Sequence, residues 1–214
     1  MQTDMDQLVQ SLNAYLETNP SKDLPYHNNK HMVACYSIGL KLFVEELKAN
    51  PRFPLVENFA PKLAVVTMLH DYDHTGGRSP DSVNIQRALI GLRGFVEFTK
   101  LKFSEEFVRS VTECIQVTEF PFCKQPVNSL EMVMRDADIL YATLSGDPEV
   151  IMEGLRAEVS VARGSEMSYA EMVGSQAKFK DAVTLFTDEG KRLYELNKDI
   201  YFNSLVEYVE SKKA

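Results

Sequence analysis

Several residue types are scarce in this chain, and each scarcity argues against a class of protein. Glycine (10) and proline (9) are few among 214 residues, which disfavours a turn-rich all-β fold. The three cysteines cannot all pair and lack metal-type spacing, and no apolar run reaches the ~18 residues that a membrane span needs. The acidic first residues lack the charge pattern of a signal peptide. We therefore expect a cytoplasmic protein in a reducing compartment, with no membrane partner.

Basic residues are outnumbered by acidic ones. The chain has 23 Lys and Arg against 31 Asp and Glu, which gives a formal net charge of −8. This excess of acid disfavours nucleic-acid binding, but a small phosphate substrate remains compatible because a metal ion can reverse the local field. The length and a hydrophobic content of 44% fit one globular domain over residues 1–214. The oligomeric state is left open.

Apolar residues recur at helical spacing through almost the whole chain. The segment over about 61–71 is apolar nearly all round, which is typical of a central buried helix. Ser79 followed by Pro80 indicates a helix start capped by the serine, and Ser168 with Glu171 forms a capping-box pattern. One continuous helix is predicted over 148–163. The sequence thus predicts an all-α, single-domain bundle of about nine non-parallel helices.

The histidines are distributed in an unusual way. The sequence has only four, and they form two pairs separated by four residues: His27 with His31, and His70 with His74. On a helix, positions four apart lie on one face about one turn from each other. This placement predicts that each pair presents two imidazoles to one site.

Carboxylates accompany the second histidine pair. Asp71 and Asp73 stand between its members, directly after the most apolar segment, and Asp136 and Asp138 lie within a later apolar segment. Burying such groups without a partner is costly, and a divalent cation relieves the cost because it takes neutral imidazole and carboxylate as ligands. The combination predicts a metal site.

Each part of this pattern also has a simpler interpretation. A single histidine pair is more often surface or capping chemistry. Asp71 and Asp73 could cap the following helix, and Asp136 could pair with Arg135. The metal-site prediction depends on all the parts occurring together.

Two longer motifs and three shorter ones occur in a fixed order. Residues 25–31 (Pro-Tyr-His-Asn-Asn-Lys-His) and 70–76 (His-Asp-Tyr-Asp-His-Thr-Gly) are the longer ones. The shorter ones are 117–119 (Val-Thr-Glu), 137–139 (Ala-Asp-Ile) and 175–179 (Ser-Gln-Ala-Lys-Phe). Together they resemble the HD-domain superfamily of metal-dependent phosphohydrolases, and most closely the catalytic domain of the class I 3′,5′-cyclic nucleotide phosphodiesterases.

This resemblance implies a metal centre. His31, His70, Asp71 and Asp138 would hold the first of two divalent ions, and Asp71 would also bridge to the second. His74 would lie beyond the direct ligands and orient water on the second ion. The family suggests Zn, Fe or Mn in the first site and Mg or Mn in the second. Asp138 rather than Asp136 matches the position of the family's last ligand.

The resemblance also implies the remaining roles. His27 would be the catalytic acid that protonates the leaving oxygen. Gln176 would bond the edge of a nucleobase and Phe179 would stack on it, while Tyr26 would shape the rim. The substrate would be a small phosphate ester, a 3′,5′-cyclic nucleotide or similar phosphodiester, which is hydrolysed to the monophosphate.

The chain departs from the family pattern in several places. It is shorter than the usual catalytic domain, no further histidine pair follows, Glu119 replaces an aspartate, and the loop over 76–81 is unusual. These departures leave the substrate open. The alternatives are an HD-type nucleotidase or nucleotide phosphohydrolase, and a non-catalytic, metal-stabilised nucleotide-binding domain.

Overall fold

Nine α-helices make up the computed structural model, which describes residues 5–213, and this part of the chain contains no strand. The helices are α1 (Met5–Leu16), α2 (Asn29–Ala49), α3 (Phe59–Leu69), α4 (Asp81–Phe98), α5 (Glu105–Gln116), α6 (Ser129–Ser145), α7 (Arg156–Arg163), α8 (Tyr169–Ala182) and α9 (Asp188–Ser211). The predicted all-α single domain of about nine helices is confirmed. None of the helices in residues 5–213 is both long and apolar enough to cross a membrane.

Helix α3 is the centre of the bundle. Nine of its eleven residues are buried, and it contacts α1, α2, α5 and α6. Even Lys62 is buried, with its ammonium 3.0 Å from a carboxylate oxygen of Glu106 on α5. The all-round apolar pattern predicted this position, because a helix enclosed by neighbours has no polar face. The residues that directly follow α3 therefore emerge from the core.

Side-chain caps fix the start of several helices. The Asn28 side chain accepts hydrogen bonds from the backbone N–H groups of Lys30 and His31, which starts α2 at the second histidine of the first motif. The predicted capping box of Ser168 and Glu171 is present at the start of α8.

One local prediction is wrong, and a second differs from the structure in its first turns. Pro80, not Ser79, occupies the cap position of α4, and no side chain caps that helix. The Ser79 backbone N–H donates instead to the Thr75 hydroxyl, because the preceding loop folds back on itself. The helix predicted over 148–163 begins with a π-helical segment, Val150–Leu155, which leads directly into α7.

A cleft lies where two apolar clusters meet. The larger cluster surrounds α3, and the smaller one contains Tyr26, Ile151, Met152 and Met172. Side chains of both clusters line the cleft, which encloses about 380 Å³. Seven of the nine predicted site residues line this cleft, and the other two, His31 and His70, are buried.

Candidate metal centre

Three separated segments bring four potential ligands to one point. His31 lies on α2, His70 and Asp71 directly follow α3, and Asp138 lies on α6. The Nε2 atoms of His31 and His70 are 3.2 Å apart, and Asp71 Oδ2 lies 3.1 Å from each of them. Asp138 Oδ1 is 3.3 Å from His31 Nε2 and 3.6 Å from His70 Nε2. The structure therefore brings together the four residues that the sequence predicts as ligands.

These distances suit a bound cation. Ligand atoms at about 2.0–2.1 Å from a tetrahedrally coordinated ion lie roughly 3.3 Å from one another. The measured separations of 3.1–3.6 Å match that value. The two imidazoles are buried, whereas 13% of Asp71 and 23% of Asp138 is exposed. The cluster therefore fits a divalent ion and opens to the cleft on its carboxylate side.

The charges in the cluster favour the ligand form of its carboxylates. Burial raises the pKa of Asp71, but the neighbouring His70, His27 and His31 outweigh it, so that the pKa falls well below its ordinary value. Burial likewise raises the pKa of Asp138, and hydrogen bonds with His31 and His70 reverse the shift to a lowered value. Both carboxylates are therefore ionised at neutral pH, which is the form that binds a cation.

A backbone contact fixes the orientation of His70. Its Nδ1 lies 2.9 Å from the carbonyl oxygen of Thr67 and donates to it. In the neutral ring, the form that binds a metal, the other nitrogen, Nε2, carries the lone pair and lies towards the cluster. This arrangement is the usual support of a histidine that binds a metal.

A buried thiol lies beside the cluster. Cys35 Sγ is 3.7 Å from Nδ1 and 3.8 Å from Nε2 of His31. It completes a group with His31, His70 and Asp138 whose ligand atoms lie within 4.8 Å of one another and that could hold a metal ion. Because the sulfur is almost equally distant from both ring nitrogens, it does not lie on the lone-pair axis of either. Cys35 was not among the predicted ligands, although Cys35 follows His31 by one helical turn.

The two aspartates of α6 have different functions. Asp136 accepts hydrogen bonds from the backbone N–H of Phe186 (2.9 Å) and of Thr187 (2.7 Å), and from the Thr187 hydroxyl (2.7 Å). Burial raises the pKa of Asp136 to about 6 despite these donors. It therefore anchors the start of α9 and does not pair with Arg135, while Asp138 faces the cleft.

His27 is held by a carboxylate that sequence analysis missed. Its Nδ1 lies 2.6 Å from Glu158 Oε2, and Glu158 Oε1 accepts the backbone N–H groups of Tyr26 (2.8 Å) and His27 (3.0 Å). Burial raises the pKa of Glu158, but these hydrogen bonds and the charge of His27 lower it overall. His27 precedes α2 instead of lying within it, and its ring centroid is 5.8 Å from that of His31. We call His27 and Glu158 the acid dyad.

His74 packs against the acid dyad. Its ring lies 3.9 Å from that of His27 between centroids, its Nδ1 accepts from the Gly76 N–H, and its Nε2 is 2.8 Å from the Asn84 side-chain amide. His27, His74 and Glu158 form a second group that could hold a metal ion. The 2.6 Å between His27 and Glu158 is a hydrogen-bond distance, shorter than the roughly 3.3 Å between neighbouring tetrahedral ligands. The geometry therefore favours the dyad over a direct ligand pair.

The predicted substrate-binding residues all line the cleft. Gln176, Phe179 and Tyr26 share it with Asp138 and His27. The Tyr201 hydroxyl donates to Gln176 Oε1 at 3.0 Å, which orients the amide. The Tyr26 ring packs edge-on against His27 and forms part of the wall.

Glu158 left only a weak signal in the sequence. It lies one helical turn after Leu155 and next to Val159, and both of these apolar residues line the cleft. An acid on an apolar helix face indicates a buried partner, but nothing local shows that the partner is 131 residues away.

Comparison of the chain with protein-family models, with curated proteins and with solved structures finds no match. The motifs and the geometry of the cleft are therefore the features that indicate a function.

Proposed function

We propose that this chain is a metal-dependent phosphohydrolase of the HD type, which hydrolyses a 3′,5′-cyclic nucleotide or a similar small phosphodiester to the monophosphate. The observation that carries the proposal is the convergence of His31, His70, Asp71 and Asp138 beside the acid dyad at one cleft. A structural cluster alone would not need a partly exposed imidazole held by a buried carboxylate.

The four converging residues would hold the first divalent ion, Zn, Fe or Mn, and Asp71 would share a second ion, Mg or Mn. When bound, such ions supply a water-derived nucleophile near neutral pH and neutralise phosphate charge. The protein contributes their fixed arrangement, since the ligands come from buried helices and His70 is held by a backbone carbonyl. His74 supports the neighbouring loop and the dyad.

The acid dyad would supply the proton for the leaving oxygen. Glu158 accepts the Nδ1 proton of His27, so the opposite nitrogen, Nε2, is the one that can donate to substrate. The buried carboxylate stabilises the charged imidazolium before the transfer. After the transfer, the neutral ring keeps its proton on Nδ1, which still donates a hydrogen bond to Glu158. The ring can regain a proton on Nε2 from solvent, because 24% of the His27 side chain is exposed.

The cleft has the dimensions and lining for a nucleotide. Its volume of about 380 Å³ falls in the range of small-molecule sites. Gln176 can bond the edge of a base because its orientation is fixed by Tyr201, and Phe179 offers a ring face for stacking. These features favour a nucleotide over a simple phosphate ester.

The charge of the cleft favours a diester over a monoester. Among residues 5–213, no lysine or arginine lines the metal cleft, whereas Asp71, Asp81, Asp138 and Glu158 do. A phosphomonoester is a dianion at neutral pH and needs more cationic contact than the monoanionic diester. We therefore propose the nucleotidase function as the alternative.

A panel of substrates tests the proposal. The Mn²⁺-loaded chain is incubated with the four common 3′,5′-cyclic nucleotides and the matching 5′-monophosphates, and products are identified by chromatography. We expect hydrolysis of at least one cyclic nucleotide. Hydrolysis of the monophosphates alone would replace the phosphodiesterase function by the nucleotidase function. Binding without turnover would indicate a nucleotide-binding domain.

A pair of variants on one helix tests the metal site. Asp138→Asn should lose most of the bound metal, measured by mass spectrometry, whereas Asp136→Asn should retain it. Asp136 is the matched control because it lies two residues away and contacts the start of α9. Equal metal contents in the two variants would refute the ligand assignment.

A further inference from the structure

A second cavity of about 410 Å³ adjoins the metal cleft. The two share four lining residues, namely Phe120, Phe122, Ser175 and Phe179. The second cavity continues along the end of α8 and the segment before α9, where Ala182 and Phe186 line it. A ligand longer than one nucleotide could therefore extend from the metal cleft across this shared wall.

The second cavity is lined by a buried guanidinium, that of Arg135, one of whose N–H groups makes no hydrogen bond. Arg135 is 2% exposed, and its terminal nitrogen Nη2 donates hydrogen bonds to the backbone carbonyl oxygens of Val117 and Lys124. Its Nε has no hydrogen-bond partner. Within residues 5–213 no carboxylate forms an ion pair with it, and Asp138 and Asp136 act on its charge only through space.

This situation is unusual for a buried charge. A guanidinium taken out of water is ordinarily compensated by a contacting anion, because an unpaired buried charge is costly. Arg135 is partly stabilised by the Phe122 ring, which lies 3.8 Å from its central carbon. An anionic ligand in the cavity that Arg135 lines would supply the missing opposite charge.

The rest of the lining matches a nucleotide. Lys178 is exposed and lines the same cavity, so that a second cation is available for a phosphate. Phe122 and Phe186 also line this cavity, and aromatic rings are the side chains on which a base stacks; Phe179 belongs to the wall shared with the metal cleft. The metal cleft itself lacks such cations, so the two cavities have complementary roles.

We propose that the second cavity binds the distal nucleotide of a dinucleotide substrate, whose scissile phosphodiester lies in the metal cleft. This inference rests on the proposed function, because the other nucleotide must occupy that cleft. In the reaction, the oxygen of one water molecule joins phosphorus and the bond from phosphorus to the ribose 3′ oxygen breaks. That oxygen leaves with a proton from His27. A linear 5′-phosphorylated dinucleotide thus gives two nucleoside 5′-monophosphates.

Binding measurements with matched variants test the inference. Calorimetry on the Mn²⁺-loaded chain compares hydrolysis-resistant phosphorothioate analogues of the 5′-phosphorylated dinucleotides pApA and pGpG with AMP and GMP. Ala182→Trp fills the second cavity from its rim, and Ala49→Trp makes the same change at the exposed end of α2. Lys178→Glu reverses a charge in the cavity, and Lys102→Glu reverses an exposed charge outside both cavities.

We expect the wild-type chain to bind one dinucleotide about tenfold or more tightly than the matching mononucleotide, because the two halves are linked. Ala182→Trp and Lys178→Glu should abolish this preference, and their controls should keep it. Equal affinity for dinucleotide and mononucleotide, or a preference unaffected by Ala182→Trp, would overturn the inference. Two mononucleotides per wild-type chain, one of them lost in Ala182→Trp, together with no preference for the dinucleotide, would also overturn it and assign the cavity to a separate nucleotide.

The hydrolysis panel, with pApA and pGpG added, separates this inference from the proposed function. A wild-type chain that hydrolyses cyclic mononucleotides but shows no dinucleotide preference refutes only the second cavity's role. A wild-type chain that shows the preference and its loss in the variants, yet hydrolyses no phosphodiester, refutes the proposed function and with it the role of the dinucleotide as substrate.

Discussion

Replacement of Glu158 by glutamine tests whether the acid dyad supplies a proton. Glutamine has the same shape, and its oxygen can keep the two hydrogen bonds from the backbone N–H groups of Tyr26 and His27. Its amide nitrogen, however, would face His27 Nδ1, where the carboxylate now accepts a proton at 2.6 Å. The variant therefore preserves the fold around His27 and removes the stabilisation of its charged form.

The size of the effect follows from this one contact. A hydrogen bond to a charged group contributes about 1.5–3 kcal/mol, and Glu158 is almost fully buried, so solvent screens it little. Because 1.36 kcal/mol corresponds to a factor of ten in rate, we expect kcat to fall roughly 10- to 150-fold. His27→Ala removes the acid altogether and should cost about 10²–10⁴-fold.

The assay compares two leaving groups. Hydrolysis of the best nucleotide substrate needs a proton on the ribose oxygen, whereas a p-nitrophenyl phosphodiester releases a stable phenolate without one. Glu158→Gln and His27→Ala should both be slow on the nucleotide and nearly normal on the p-nitrophenyl ester, with unchanged metal content. Equal loss on both substrates would show that the variants disturb the site structurally, and full activity on the nucleotide would show that the acid is assigned wrongly.

Two further predictions concern stability. Gly77 has φ +83°, and a Cβ there would meet the carbonyl oxygen of Glu158, whereas Gly146 has φ +67° and a Cβ there would meet nothing within 4 Å. Gly146→Ala should lower the free energy of unfolding by only about 1–2 kcal/mol, because of backbone strain. Gly77→Ala should lower it by about 1–3 kcal/mol more, because the new Cβ would overpack against Glu158. Urea unfolding measures both values, and equal losses would contradict the close approach of Gly77 to the Glu158 carbonyl oxygen. Asp136 has a folded pKa raised to about 6 from 3.8, so its stabilising contribution is complete below pH 3.8 and is lost as pH rises through 6. Between pH 5 and 7.5 the free energy of unfolding of wild type relative to Asp136→Asn should fall by about 1 kcal/mol, with exposed Asp188→Asn as a control that follows wild type.

The sequence predicted those parts of the site that lie within short motifs. The apolar segment of α3 fixed the buried helix from which His70 and Asp71 emerge, and the position of Asp138 in its own motif distinguished it from Asp136. The structure brings these side chains together, and their role as metal ligands stays a prediction. The buried helix could be predicted because helical periodicity is a local property of the sequence.

The missed features depend on contacts between distant parts of the chain. Glu158 reaches His27 across 131 residues, and the unpaired Nε of Arg135 is visible only when the cavity around it is known. The prediction that Ser79 caps α4 was wrong for a related reason. In the folded loop the Ser79 backbone N–H donates to the Thr75 hydroxyl, a contact that the sequence around Ser79 does not indicate. No local pattern encodes such pairings, because they depend on how the helices pack.

The order of the site residues along the chain has a consequence for biosynthesis. The last ligand of the metal cluster is Asp138 and the dyad carboxylate is Glu158, twenty positions later (158 − 138). A growing polypeptide thus contains the four proposed ligands before it contains the partner of His27. A chain that ends between these two positions would keep the proposed ligands but lack both the dyad carboxylate and α9, whose start Asp136 anchors.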